Sequence, residues 1–377
     1  MEIMTIVFFG ILLIYALFIG VLAYGFKKVP YFERTDLVPK TNFSILIPFR
    51  NEAENLPDLL YSFSQLQYPR DQFEILFIDD SSEDNSVEII KNFPVLTFNF
   101  KIIDNVRVSN SPKKDAISTA INSMQNEWII TTDADCFVNP DWLKTLDNYI
   151  QIHNPEMIVG AVSFVSDESF LSQFQQMDMM SLQGATVGSF GIGKPFMCNG
   201  ANFAYTKKLF QTINGFDGNN KIASGDDVFL LQKAISDQNI GIEKVHYLKS
   251  EENIVLTKSL DTWKSVFNQR IRWASKASSY ESVFGKIAAL VVFAGNSTIV
   301  LSFFLTLFSI FSFWNWYLLV AIKIVIDFFI LYQTGKFIKS KSVKFFLLIN
   351  LFYPFFSTSV AIYSLFGKYE WKGRSFR

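Results

Sequence analysis

Two kinds of hydrophobic pattern divide this chain. Ile3 to Phe26 is an uncharged apolar run, long enough as a helix to cross the ~30 Å hydrocarbon core of a bilayer. Apolar runs return later, giving candidate spans at Ile287 to Phe311, at Trp316 to Leu331 with its flanks, and at Val343 to Phe366. Between about Lys40 and Gly285 the apolar positions come instead in short blocks. Phe43 to Pro48, Phe73 to Ile78, Lys101 to Asp104 and Glu127 to Thr132 predict strands, the first two apolar enough to be buried on both faces. Asn55 to Leu66, with Asn51 as its cap and Glu54 in its first turn, predicts a helix, as do Ser86 to Asn92, Lys113 to Gln125 and Val228 to Ile235. This alternation predicts an α/β fold with a doubly wound, mostly parallel sheet, flanked by transmembrane helices. Ligands of such sheets bind beyond the carboxyl ends of the strands.

The expected organisation is an N-terminal transmembrane anchor (1–26), an α/β domain (40–285), a C-terminal membrane region of three apolar segments (286–367) and a basic tail (368–377). The first residues lack the basic start of a signal peptide, and no Ala-x-Ala-type site follows, so the anchor is expected to stay uncleaved. Lys27, Lys28, Arg34 and Lys40 follow it, which by the positive-inside rule puts that flank and the α/β domain in the cytoplasm. Lys336, Lys339, Lys341 and Lys344 mark a second cytoplasmic connection, and Trp314 to Tyr317 an interfacial aromatic belt. Lys323 and Asp327, one helical turn apart inside a span, are expected to pair with each other or to face a protein neighbour. Pro354 could turn the last segment into a re-entrant hairpin and keep the basic tail inside.

Composition changes this picture little. With 377 residues, 50% of them hydrophobic, the chain has room for one sizeable soluble domain plus membrane segments. A net charge of −1 gives no basic excess for nucleic acid. Cys136 and Cys198 form no CxxC or finger spacing, so neither a disulfide framework nor a zinc site is implied. His153 and His246 stand apart and suggest no histidine-based site.

Four segments could carry chemistry. Asp133 and Asp135 flank one small residue at a strand end, a placement that suits a hard divalent cation with positions open for phosphate oxygens; the plain alternative is a solvated turn. Asp79 and Asp80 follow another buried strand, where a carboxylate can accept from a base imide or a ribose hydroxyl, or merely cap a helix. Asp226 and Asp227 open a helix, either as dipole partners or as a general base within reach of an acceptor hydroxyl. Gln269-Arg270-Ile271-Arg272-Trp273 combines an amide, cations and an indole, suited to a diphosphate or to an anionic membrane surface.

In order and spacing, SILIPFRNE (Ser44 to Glu52), IDDSS (Ile78 to Ser82), PKKDAI (Pro112 to Ile117), TTDAD (Thr131 to Asp135), GDD (Gly225 to Asp227) and QRIRW (Gln269 to Trp273) resemble the family 2 glycosyltransferases of GT-A fold. The likeness is greatest to their membrane-bound, ceramide-glucosyltransferase-like branch. It implies a nucleotide-sugar donor and a Mg²⁺ or Mn²⁺ cofactor. Pro48, Arg50 and Glu52 would border the nucleotide, Asp80 would contact the base with Asp79 beside it, and Lys113 would lie near the nucleotide. Asp133 would bind the ribose or diphosphate side of the donor and share the metal with Asp135. Asp227 would be the catalytic base, with Asp226 as the acid before it. Gln269, Arg272 and Trp273 would close over the diphosphate and the acceptor end. Pro112 departs from the family's glycine before the lysine, and Gly225-Asp226-Asp227 stands where Glu-Asp is usual.

The resemblance also implies inverting transfer from a UDP-sugar to a membrane lipid or lipid-linked acceptor, in a membrane of bacterial inner-membrane type. A processive polysaccharide synthase is the alternative. Phe174, Met177, Met179, Met180 and Phe190 make one stretch soft and apolar, suited to a lipid acceptor or to packing as an ordinary helix on the sheet. The Asn199-Gly200-Ala201-Asn202 loop resembles an acceptor-side loop, and Trp371-Lys372-Gly373-Arg374 the end of lipid-modifying members.

Overall fold

A computed structural model of the chain describes residues 2–94, 98–219, 225–275, 281–340 and 344–366, with the backbone of 369–371 and 374–376. In chain order the elements begin with α1 (Glu2–Lys28), β1 (Phe43–Phe49), α2 (Leu56–Ser64), β2 (Phe73–Asp79), α3 (Ser86–Asn92), β3 (Asn99–Asp104) and α4 (Pro112–Ser123). Then come β4 (Trp128–Thr131), β5 (Cys136–Phe137), α5 (Trp142–His153), β6 (Met157–Gly160), β7 (Val162–Val165), α6 (Phe170–Gly191) and β8 (Phe203–Thr206). Next are α7 (Lys207–Thr212), α8 (Asp226–Ser236), β9 (Val245–Leu248), β10 (Val255–Lys258) and α9 (Trp263–Ala274). Last come α10 (Val283–Leu307), α11 (Phe313–Phe337), α12 (Phe346–Phe366), β11 (Tyr369–Trp371) and β12 (Arg374–Phe376). They divide into two units: Met1–Val29, Ser166–Phe196 and Ser259–Arg377 form a helical unit, and Pro30–Val165 with Met197–Lys258 an α/β unit. Residues 166–196, 259–275 and 281–285, inside the α/β stretch in sequence, thus pack with the helices.

The α/β unit is built on a seven-stranded sheet of order β3-β2-β1-β4-β8-β6-β9. Strands β3 through β4 run parallel, β8 is antiparallel to β4 and β6, and β9 is parallel to β6. The apolar runs of β1 and β2 are buried because helices cover the sheet: Ile45, Ile47, Ile75 and Phe77 share a core with Leu56, Leu59, Leu60 and Phe63 of α2. Full burial of each such side chain stabilises the fold by ~1.5–3 kcal/mol. Pro48 has no N–H for a ladder, and the pairing of β1 with β4 ends at Leu46, before it. A second sheet, β5-β10-β7, lies in the same unit. The linker before β1 is tied to α5 by the fully buried Asp147, whose Oδ1 accepts from the Thr41 amide at 2.9 Å and hydroxyl at 2.7 Å.

The helical unit gathers α1, α6, α9, α10, α11 and α12. Of these, α1, α10, α11 and α12 are long and apolar enough to cross a membrane. The Met-rich α6 belongs here, with Met177, Met179 and Met180 buried, and packs against α1 and α11. It meets α1 backbone to backbone. A Cβ on Gly188 would fall 2.3 Å from the Leu22 carbonyl oxygen, and one on Gly191 1.8 Å from that of Gly25, so only glycine permits this crossing. Lys323 and Asp327 pair at 2.6 Å as the sequence predicts, and the Tyr15 hydroxyl of α1 donates to Asp327 Oδ1 at 2.6 Å. Pro354 makes no hairpin: α12 runs through it, because packing buries the proline and sustains the helix despite the missing N–H. Lys341 and the side chains of 367–377, including Trp371 to Arg374, lie outside the described residues.

Gly188→Leu should overpack the α1–α6 crossing by about 1–3 kcal/mol or more and lower the unfolding midpoint of the detergent-purified protein. Gly10→Leu, in open space, should leave the midpoint unchanged; equal midpoints for both variants would refute the close approach.

Candidate active site

The carboxyl ends of β1, β2, β3 and β4 lie side by side because these strands are parallel neighbours, and the loops leaving them carry most of the predicted polar residues. Arg50 follows β1 and staples the next loop. Its Nη1 donates to the carbonyls of Asp80 (2.7 Å) and Ser81 (2.6 Å), and its Nη2 to Glu83 at 2.7 Å. Asn51 does not cap α2. It adopts a left-handed φ of 52° and accepts from the Glu83 amide at 2.8 Å. The N-cap of α2 is Asn55, whose side chain makes no cap bond, and Glu54 precedes the helix, leaving Asp58 in the first turn. Glu52 Oε2 accepts from Asn55 Nδ2 at 2.7 Å.

Asp79 closes its own turn by accepting from the Ser82 amide at 2.9 Å. Asp80 is buried, and Oδ1 accepts from Asn105 Nδ2 at 2.7 Å and from Arg107 Nη1 at 3.3 Å. Asn105 and Arg107 escaped the sequence reading because the loop has no periodicity. Their place just past the carboxyl end of β3 was the available signal.

A second constellation joins the end of β4 to the start of α8. Lys113 Nζ donates to Asp133 Oδ1 at 2.6 Å and lies 3.4 Å from Asp226 Oδ2. Burial works against the charge of Lys113, but the carboxylates of Asp133, Asp226 and the more distant Asp227 outweigh it and raise its pKa above the ordinary lysine value. Pro112 is accommodated at the start of α4, where a missing N–H has no helical partner to lose. Asp227 is less buried than Asp226. Its Oδ2 accepts from the Gly200 amide at 2.9 Å and its Oδ1 from the Val228 amide at 2.7 Å. Gly200 leaves little room: a Cβ there would lie 3.1 Å from Asp226 Oδ2 and 3.3 Å from Lys113 Nζ. The loop is fixed by Asn202, whose Nδ2 donates to the carbonyls of Ala161 (2.8 Å) and Asn253 (2.6 Å).

Asp133 and Asp135 offer hard oxygen ligands. Burial pushes the Cys136 thiol well above its ordinary pKa, with the Asp135 and Asp133 carboxylates adding to the rise, so this strand end carries a negative field suited to a cation. No cluster of three or more His, Cys, Asp or Glu gathers for a metal among the described residues. Two carboxylates are hard ligands of the kind Mg²⁺ takes together with phosphate and water, and one oxygen of Asp133 is also engaged by Lys113. His153 and His246, apart in sequence, come within 6.2 Å between ring centroids, with the Tyr149 hydroxyl 3.2 Å from His246 Nδ1. Gln269, Arg272 and Trp273 stand on α9, in the helical unit.

The family model "Glycosyl transferase family 2" matches residues 44–214, the stretch that holds Arg50, Asp80, Lys113, Asp133 and Gly200. Residues 44–214, just under half of the chain, are thus similar to that family's domain. The chain is 30% identical to a poly-β-1,6-N-acetyl-D-glucosamine synthase of Staphylococcus epidermidis over 47% of this chain and 44% of that one. It is 31% identical to an undecaprenyl-phosphate 4-deoxy-4-formamido-L-arabinose transferase of Yersinia pestis over 41% of this chain and 46% of that one. It spans less than two thirds of the length of these curated relatives. In fold it is similar to a mannosyltransferase from Pyrobaculum calidifontis, solved with GDP-Man and Mn²⁺, at a TM-score of 0.56 and 16% identity, with 97% of each chain covered. These matches support the glycosyltransferase family as a whole rather than its ceramide-glucosyltransferase-like branch.

Lys113→Met removes an ammonium that Asp133 and Asp226 share and leaves excess negative charge beside them. Its Kd for a fluorescent nucleoside diphosphate should rise at least about tenfold, or ~1.4 kcal/mol. Lys113→Arg should stay within about threefold of wild type. Unchanged affinity in Lys113→Met would refute this role.

Proposed function

We propose that this protein is a membrane-embedded, inverting glycosyltransferase that moves a sugar from a nucleoside-diphosphate sugar to a hydroxyl of a membrane lipid or lipid-linked acceptor. The observation that carries this reading is the Asp227 carboxylate, aligned by the Gly200 amide next to the Lys113–Asp133 ion pair. Four helices able to cross a membrane in the same chain support the lipid, as does the likeness to an undecaprenyl-phosphate transferase. Lys27 and Lys28 at the end of α1, with Arg34 and Lys40 beyond it, favour a cytoplasmic face for the reaction.

In this mechanism Asp227 takes the proton of the acceptor hydroxyl. The acceptor oxygen bonds to the anomeric carbon as the bond from that carbon to the diphosphate breaks on the opposite face, so the configuration inverts. Asp226, buried beside Lys113, holds that ammonium rather than acting as base. Asp80 receives the base, with Asp79 shaping its turn, while Pro48, Arg50 and Glu52 fix the neighbouring loop. Gln269, Arg272 and Trp273 close over the diphosphate, where the Arg272 guanidinium offsets its charge. Asp133 and Asp135 would hold Mg²⁺ or Mn²⁺, which supplies positive charge for the leaving diphosphate; the mannosyltransferase of similar fold was solved with Mn²⁺. UDP is the donor nucleotide that the family resemblance favours.

The second reading, a processive polysaccharide synthase, is favoured by the likeness to the poly-N-acetylglucosamine enzyme. Product analysis separates them: a single sugar on an extractable lipid, or a long polymer.

Asp227→Asn keeps an acceptor for the Gly200 amide and removes the base. Transfer should fall by about 10²–10⁴-fold while donor affinity stays within about threefold. Turnover near wild type in this variant would remove Asp227 from the mechanism.

A further inference from the structure

In the helical unit, Arg270 lies between the expected ligand contacts of α9. Arg270 is buried, and its Nε donates to the buried Asp178 of α6. Asp178 is fixed in turn from α12, where the Tyr353 hydroxyl donates to its Oδ1 at 2.9 Å. Among the described residues, two further contacts of the Arg270 guanidinium go to its own helix. Nη1 donates to Gln269 Oε1, and the guanidinium lies 4.2 Å from the centre of the Trp273 ring.

This pattern differs from a plain helix staple. An ion pair between α6 and α9 would hold the helices together with no contact to Gln269 or Trp273. Positions i and i+3 of a helix face each other, so Arg270 can lie against Trp273, but neighbours i and i+1 do not. The Gln269 side chain must therefore turn toward Arg270. Its carbonyl oxygen is then committed to the guanidinium, which leaves the amide N–H₂ as the group it presents. Trp273 is held by cation–π attraction, worth more where water is excluded. One buried guanidinium thus sets the orientation of two side chains.

We propose that Arg270, Asp178 and Tyr353 are positioning residues for Gln269 and Trp273, and act on transfer through them without touching the ligand. The inference rests on the reading that the Gln269 to Trp273 segment closes over the donor diphosphate. It assigns a task to the single acid of the Met-rich helix and to the tyrosine beside Pro354.

The test uses the full chain in detergent with vesicles of bacterial total lipid, and nucleoside-diphosphate release from a panel of UDP- and GDP-sugars as readout. Removing one ion alone would strand its partner's charge in the bundle, so the main variant is the matched, neutral Asp178→Asn/Arg270→Gln. We expect kcat to fall at least about 30-fold, or ~2 kcal/mol, with the donor KM within about threefold and the thermal midpoint within a few degrees. Tyr353→Phe, which removes one hydrogen bond, should lower kcat about three- to tenfold with the same split. A paired variant with kcat per folded molecule within threefold of wild type overturns the proposal. If that variant fails to fold, Tyr353→Phe with wild-type kcat overturns it. Arg272→Ala and Trp273→Ala are run alongside. Wild-type turnover in both would defeat the reading of the segment itself, and the inference with it. Loss in those two with full activity in the paired variant defeats the inference alone.

Discussion

One ammonium group holds the candidate site of the α/β unit together. Asp133 follows a central strand, β4, and Asp226 opens a helix far along the chain, and two like charges gathered around one site repel. Lys113 Nζ, 2.6 Å from one and 3.4 Å from the other, converts the repulsion into attraction. The cost of placing three ions in a partly buried setting is offset by their alternating signs, which is why the lysine is held in its charged form. The sheet makes this possible, because parallel β1, β2, β3 and β4 deliver every loop to the same edge.

The two acids that open α8 then separate by environment. Asp226 is buried and faces Lys113, so its charge is already committed. Asp227 is more exposed and, among the described residues, accepts backbone N–H bonds from Gly200 and Val228, which orient the carboxylate and leave lone pairs for a proton. A carboxylate can accept about four hydrogen bonds, so two do not exhaust it. Neighbouring residues of one type thus take different tasks. Gly200 belongs to the same arrangement: its amide reaches Asp227 because no side chain fills the gap.

What the sequence made legible follows from how local each determinant is. β1 and β2 were readable because burial on both faces leaves a continuous apolar run, and α1 because nothing but a bilayer-length helix fits its composition. The start of α2 was misread because Asn51 looks like a cap. Its left-handed backbone and its bond from the Glu83 amide depend on a loop some thirty residues on, which no local pattern encodes. Asn105 and Arg107 were missed for the same reason, since their meaning lies in the distant Asp80. Pro354 misled in the opposite direction: a proline breaks an isolated helix, but surrounding packing carries α12 through it.

The helical unit shows where composition alone is least informative. The apolar runs specify helices and say almost nothing of which faces meet, because in such a setting hydrophobicity does not sort one face from another. What sorts them are the exceptions: Gly188 and Gly191, which admit α1 in backbone contact, the Lys323–Asp327 pair capped by Tyr15, and Asp178 between Tyr353 and Arg270. Each is a small or polar residue whose removal leaves either a clash or an unpaired group. An acid in a Met-rich helix would be costly without partners, and its presence alone says that partners exist. It does not say which. That identity is settled only by three-dimensional contact, where Asp178 meets an arginine that also bonds Gln269 and lies over the Trp273 ring.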